Sequence, residues 1–264
     1  MPRVRVGDIS INYEEAGEGT PLVLIHGLGS DLTIWDKDAE VFSRYHRLLR
    51  PDVRGFGRSD KPPGPYTPQM LAADIAGLLV ATGVKRAHVA GISMGGVIAQ
   101  RLALDFPGHV ASLILVSTSS EVGERAVASW HRLADVIEER GFDERSADAS
   151  RAFSEGFAAD HPDLVREIAR RNAANDPRAY AAAARAVGDY RWTADLARVD
   201  TPVLILQGLE DRLTPPGGSV KMQRALPRAR LLMIGGAGHN LPLEQPETFR
   251  SAVLAFTAGV DLVR

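Results

Sequence analysis

Residues 87–96 read Ala87-His88-Val89-Ala90-Gly91-Ile92-Ser93-Met94-Gly95-Gly96. A buried-strand run leads into a G-x-S-x-G, and helical spacing begins at Met94. Strand, sharp turn and helix in that order leave a serine hydroxyl exposed at the end of a sheet. The flanking glycines leave room for a strained backbone at Ser93, and Gly96 lets the helix pack close behind it. A continuous apolar run also marks a strand buried on both faces, the kind a parallel sheet uses.

The same character recurs outward along the chain, at residues 22–25, 113–116 and 203–206, with a further apolar run at 231–234. Residues 3–6 and 9–14 instead alternate charged and β-branched side chains around Gly7-Asp8, which suits a half-exposed pair of edge strands. Leu71, Ile75, Leu78 and Leu79 form one helical stripe after the turn signals Pro62-Pro63-Gly64-Pro65, and Gly83 closes it. Residues 94–104 and 249–256 are also helical in spacing. The alternation predicts an α/β fold with a mostly parallel central sheet flanked by helices. Residues 121–195 break the rhythm: they are rich in Ala, Arg, Glu and Asp, with helical spacing at Val127, Trp130, Leu133, Val136 and Ile137. No strand is expected there, only roughly four helices joined at Gly141, at Asp160-His161-Pro162 and at Asn175-Asp176-Pro177. More helices on the outer face of the sheet would be one explanation. A cap over a site is the expectation, because one crossover rarely needs so long an insertion. The core domain is then 1–120 with 196–264, and the cap is 121–195.

Composition excludes several classes. A chain of 264 residues buries a core without staples, and the absence of cysteine removes disulfides, Cys-ligated zinc, iron–sulfur clusters and thiol nucleophiles. The 31 Lys and Arg against 33 Asp and Glu argue against a nucleic-acid partner. No run reaches the ~20 apolar residues of a membrane span, and the N-terminus lacks a signal-type apolar stretch. A cytoplasmic protein acting on a small molecule, without a membrane partner, is expected; a homo-oligomer is compatible with the sequence. Gly27-Leu28-Gly29-Ser30-Asp31-Leu32 puts Leu32 where a dinucleotide fingerprint needs its third glycine, and no phosphate loop or H-E-x-x-H zinc helix occurs. No cofactor and no metal are expected.

A serine hydroxyl needs a base. Of seven histidines, His239 stands apart, in the glycine loop Gly235-Gly236-Ala237-Gly238-His239-Asn240 after a strand, which presents it at the edge where open α/β sheets bind ligands. The base needs a carboxylate on its other nitrogen, and the loop after 203–206 offers two neighbours, Glu210 and Asp211, in the chain order Ser, acid, His. Two donors must face a developing oxyanion. The Met94 amide is one, at a helix N-terminus, and the loop His26-Gly27-Leu28-Gly29 makes the Leu28 amide the other. His26 itself is read as shaping that loop.

Taken together, Val23-Leu24-Ile25-His26-Gly27, Asp52-Val53-Arg54-Gly55-Phe56-Gly57-Arg58-Ser59, Gly91-Ile92-Ser93-Met94-Gly95-Gly96, the 208–215 segment and Gly238-His239 resemble the α/β-hydrolase family over essentially the whole chain. Within it, Pro62-Pro63-Gly64-Pro65-Tyr66-Thr67 and the Ser93 elbow look most like 3-oxoadipate enol-lactonases and the small carboxylesterases close to them. The resemblance implies the α/β-hydrolase fold with its cap and selects Asp211 over Glu210. It implies hydrolysis of small carboxylic esters or lactones through an acyl-enzyme on Ser93. Trp130 resembles a tryptophan that enol-lactonases place over the pocket, with Phe153, Phe157 and Trp192 as further aromatic candidates. A serine at the elbow, where dehalogenating and epoxide-opening relatives carry aspartate, excludes an alkyl-enzyme route. Carbon–carbon bond hydrolysis comes second, because Gly27 to Asp31 and Ile92 lack the oxyanion-loop and pre-serine residues of those enzymes. Some relatives with this Ser-Met-Gly-Gly elbow are perhydrolases, so the resemblance admits perhydrolysis by the same acyl-enzyme as a side activity, and a non-catalytic small-molecule receptor is the contrasting class. With His239 as base, kcat/KM should rise with pH about an apparent value near ~6.5.

Overall fold

The computed structural model describes residues 2–262, and in it the apolar runs at 22–25, 87–92, 113–116 and 203–206 lie inside one eight-stranded sheet whose edge strand carries the run 231–234. The strands are β1 (Arg3–Val6), β2 (Ile9–Ala16), β3 (Pro21–Ile25), β4 (Arg47–Pro51), β5 (Ala87–Ile92), β6 (Val110–Val116), β7 (Val203–Gly208) and β8 (Ala229–Ile234). Their spatial order is β1-β2-β4-β3-β5-β6-β7-β8. β2 pairs antiparallel with β1 and β4, and every other pair is parallel. The continuous apolar runs have a direct cause. Side chains alternate faces along a strand, so Val23 and Ile25 of β3 enter one core while Leu22 and Leu24 enter the other. β6 divides in the same way, Leu113 and Leu115 against Ile114 and Val116, and β7 divides Val203 and Ile205 against Leu204 and Leu206. Each such burial contributes about 1.5–3 kcal/mol.

Among the described residues there are eleven α-helices: α1 (Asp36–Phe42), α2 (Pro68–Ala81), α3 (Met94–Asp105), α4 (Glu124–Arg140), α5 (Glu144–Ala147), α6 (Glu155–Asp160), α7 (Pro162–Ala173), α8 (Pro177–Gly188), α9 (Gly217–Ala225), α10 (Leu241–Glu244) and α11 (Pro246–Asp261). α2 starts where Thr67 accepts a hydrogen bond from the Met70 N–H with Pro68 in the first turn, and its expected stripe Leu71, Ile75, Leu78 and Leu79 is buried. α11 runs well beyond the expected 249–256. α1 and α9 show no helical stripe in the sequence, since each is short and buries only three and two residues respectively. With β1 to β8 and the flanking helices in place, this is the architecture of an α/β-hydrolase fold.

Between β6 and β7 the chain is almost wholly helical, and Glu121 and Arg191 form an isolated bridge that brings the two ends of the segment together. Gly141 ends α4 at φ 74°, and Asp176 caps α8 by accepting from the Ala179 N–H. The stretch between Gly141 and α7 holds two short helices and a 3-10 turn, because Asp143 and Ser154 each cap a new start. α4 and α8 meet through small residues, Ala134, Ala181 and Ala184. A further 3-10 helix, Thr193–Arg198, buries Leu196 in the main core. Among the described residues no helix is long and apolar enough to cross a membrane.

Candidate active site

Ser93 is the single residue between β5 and α3, and its backbone has φ 55° and ψ −117°. A non-glycine residue at positive φ costs about 1–3 kcal/mol and persists only where its surroundings hold it. Here they do. The Ser93 N–H donates to Val116 O at 3.0 Å, and its carbonyl accepts from the Gly96 N–H, the Val97 N–H and, at 2.9 Å, the Thr118 hydroxyl. The glycines leave space for contacts a side chain would block: a Cβ at Gly95 would stand 2.2 Å from Ile25 O, and one at Gly96 would stand 2.6 Å from Thr118 Cγ2. Gly95→Ala is therefore expected to cost about 3 kcal/mol, lowering Tm by roughly 6–10 °C in a thermal melt. A Tm within 2 °C of the parent, roughly the effect of an ordinary surface change, would show that the elbow relaxes freely.

The Met94 N–H opens α3, so no carbonyl of its own helix can accept from it, and it lies at the positive end of the helix dipole. The loop after β3 passes over this turn, with a Cβ at Gly27 only 3.5 Å from Ser93 Cβ. His26 shapes the loop from beneath. Its Nε2 accepts from the Val53 N–H at 2.9 Å, so the ring proton sits on Nδ1 and donates to Gly27 O at 2.8 Å. Burial pushes the His26 ring below the ordinary histidine value of 6.5. Burial acts on His46 in the same direction. A histidine held neutral by the fold stabilises it fully above pH 6.5, and that contribution fades as pH falls below the unfolded value toward the folded one. Wild-type Tm should therefore drop between pH 8 and pH 5, and His26→Asn should drop less over the same range; equal slopes would refute the assignment.

The helical segment grips the same loop from above. Asn175 Nδ2 donates to Gly29 O at 2.8 Å, and Arg171 bonds Asp31 at 3.0 Å and also the Thr33 hydroxyl. Leu28 packs with Trp130 and Tyr180 on the Ala134, Ala181 and Ala184 cluster. Trp130 itself lies tight against Gly188, where a Cβ would be 2.5 Å from Trp130 Cβ. Nothing in the sequence pattern marks Asn175 or Arg171, since both read as ordinary polar residues of a helix end.

β7 and β8 deliver the other two groups at the same carboxyl edge of the sheet. Of the adjacent acids, Asp211 is buried and meets His239, with Oδ2 2.9 Å from Nδ1; Glu210 is exposed. The Asp211 carboxylate also accepts from the Leu213 and Thr214 N–H groups on Oδ1, both at 2.9 Å, and from the Thr214 hydroxyl on Oδ2 at 2.7 Å. Burial pushes the Asp211 carboxyl up, while the His239 ring and the bonds from His239 and Thr214 push it down; the net lies below its ordinary 3.8. With its carboxylate partner on Nδ1, His239 carries a proton there and leaves Nε2 free to accept. Among the described residues no hydrogen bond joins the Ser93 hydroxyl to His239, and such bonds commonly tighten only once substrate is bound.

The His239 loop is tied down by Glu244, a buried carboxylate that accepts from the Gly238 N–H at 3.0 Å and from the Ser154 N–H at 2.8 Å. The Asn240 N–H donates to Ala152 O at 2.9 Å, so the inserted segment touches both this loop and the one after β3. Trp192, one of the further aromatic candidates, is a core residue: it is buried, stacked on Tyr190, and donates Nε1–H to Gln100 Oε1 of α3 at 3.1 Å. An indole N–H seeks a buried acceptor, and Gln100 supplies one. Phe153 is buried and stacked on Phe157. Thr214, Gln207, Glu244 and Asn175 complete the surroundings; Gln207 and Glu244 lie outside every motif, and Thr214 and Asn175 sit in stretches that do not single them out.

The chain is similar throughout to known enzymes. It is 29% identical to 3-oxoadipate enol-lactonase 2 of Acinetobacter baylyi over 94% of this chain and 93% of that one. It is 31% identical to 2-hydroxy-6-oxo-2,4-heptadienoate hydrolase of Pseudomonas putida, covering 98% of this chain and 96% of that one. Among solved structures, a thermophilic esterase from Thermogutta terrifontis superposes with a TM-score of 0.92 at 30% identity, over 98% of this chain and 99% of that one. The alpha/beta hydrolase fold family matches residues 20–246, most of the chain, and the chain belongs to this family.

Proposed function

We propose that the protein is a serine hydrolase of small carboxylic esters or lactones. Ser93 attacks the substrate carbonyl as His239 takes its proton, Asp211 holds the His239 ring, and the Leu28 and Met94 N–H groups receive the oxyanion. His239 then protonates the leaving oxygen, and water attacks the acyl group on Ser93 by the same route. Residues 121–195 form the cap that selects the substrate, with Trp130 beside the oxyanion loop, and the core is 1–120 with 196–264. The reaction runs in the cytoplasm without a cofactor.

The observation that carries this reading is the strained Ser93 turn at the same sheet edge as a buried Asp211–His239 pair 2.9 Å apart. Likeness to an enol-lactonase and to an esterase supports the substrate class. The test is initial-rate hydrolysis of p-nitrophenyl acetate, butyrate and octanoate beside a simple enol-lactone, with labelling by a fluorophosphonate. One phosphonyl group gained on the peptide containing Ser93, with fluoride released and activity lost in step, is the expected result. Likeness to the heptadienoate hydrolase favours a second reading, carbon–carbon bond hydrolysis. Bleaching of a 2-hydroxy-6-oxo-dienoate faster than any ester is cleaved would replace the first reading with that one.

A further inference from the structure

Gln207 is fully buried near the end of β7, in a strand that is otherwise aliphatic up to its terminal glycine. A buried amide is costly unless its atoms are bonded, and these are. Oε1 accepts from the Ser219 hydroxyl of α9 at 2.7 Å. Nε2 faces three acceptors, Asp211 Oδ2 at 3.1 Å, Gly208 O at 3.1 Å and Thr214 O at 3.2 Å. Three acceptors at one end and a hydroxyl donor at the other leave the amide one orientation. Ser219, also fully buried, therefore fixes which way Gln207 points.

We propose that Gln207, held by Ser219, is a positioning residue that donates to the same Asp211 oxygen that receives the His239 ring, and so sets how strongly Asp211 retains the His239 proton. The inference rests on the reading of Asp211 and His239 given above. A donor on a carboxylate stabilises its charged form and draws charge away from its other partners. Without the Gln207 N–H, Asp211 presents more charge to the ring, and the imidazolium persists to higher pH. The charged groups nearby are otherwise engaged: Arg212 pairs with Glu155 and bonds Phe153 O, Glu244 bonds the Gly238 and Ser154 N–H groups, and Glu210 is exposed. A residue that merely filled the space between β7 and α9 would leave the ring untouched.

The experiment compares wild type, Gln207→Met and Ser219→Ala as full chains, by NMR titration of the His239 ring and by the pH profile of kcat/KM on p-nitrophenyl acetate. In Gln207→Met the ring midpoint should rise by about 0.5–1 in pH, and in Ser219→Ala by less. At pH 5.5 kcat/KM should fall about three- to tenfold in Gln207→Met, with the deficit shrinking as pH rises. An unmoved midpoint with an equal loss at every pH, in whichever variant folds, would overturn the proposal. The ring titration needs no turnover, so a chain that hydrolyses nothing would defeat the serine-hydrolase reading while Gln207 is still decided by the midpoint.

Discussion

Ser93→Ala is expected to lower kcat on p-nitrophenyl acetate by about 10⁵-fold while leaving the fold in place. The size of the loss follows from the role, because removing a nucleophile leaves only the oxyanion donors and substrate binding to act. Retention of the fold follows from the geometry. Among the described residues the Ser93 hydroxyl has no hydrogen-bond partner to orphan, and the bonds holding the turn all run through the backbone of Ser93. Tm should stay within about 2 °C of wild type. Initial rates and a thermal melt on one preparation decide the matter, and residual turnover within tenfold of wild type would remove Ser93 from the mechanism.

Asp211→Asn carries the second-largest effect, a fall in kcat of about 10³–10⁴-fold. Five donors face the carboxylate. Two of them, the Leu213 and Thr214 N–H groups on the Oδ1 side, are backbone groups that cannot become acceptors. The asparagine oxygen must therefore take that side, which turns its NH₂ toward His239 Nδ1. Nδ1 then has to accept, the ring proton moves to Nε2, and the atom meant to take the Ser93 proton already holds one. Burst-phase and steady-state rates on the same ester measure the loss, and a variant that kept a tenth of wild-type kcat would mean that Asp211 does not orient the base. The chain should fold, since four of the five donors keep a neutral partner or can rotate.

Several parts of the molecule are legible in the sequence. β5 and the start of α3 fall where the run and the G-x-S-x-G place them, because a strand–turn–helix is a local event and glycines mark where it bends. β6 begins at Val110, three residues before its apolar run, because Ser112 interrupts the pattern. That serine is buried in the sheet with its hydroxyl 2.7 Å from His88 Nδ1, a pairing between two strands that neither strand shows alone. The choice between Glu210 and Asp211 is likewise invisible to periodicity, since adjacent loop residues differ only in which way the turn rotates them. The Leu213 and Thr214 N–H groups close around Asp211, whose carboxylate meets His239 while Glu210 stays exposed.

By itself the sequence determined the alternation of strands and helices, the elbow at Ser93 and the glycine loop that carries His239, all of which depend on periodicity and local backbone freedom. Only the tertiary structure decided what surrounds them. Trp192 turns inward, and its buried indole N–H finds its acceptor on Gln100, 92 positions away on another element. Asn175 and Glu244 hold the two loops for a related reason: a buried carbonyl or amide must find a partner wherever the fold brings one within about 3 Å, whatever its place along the chain.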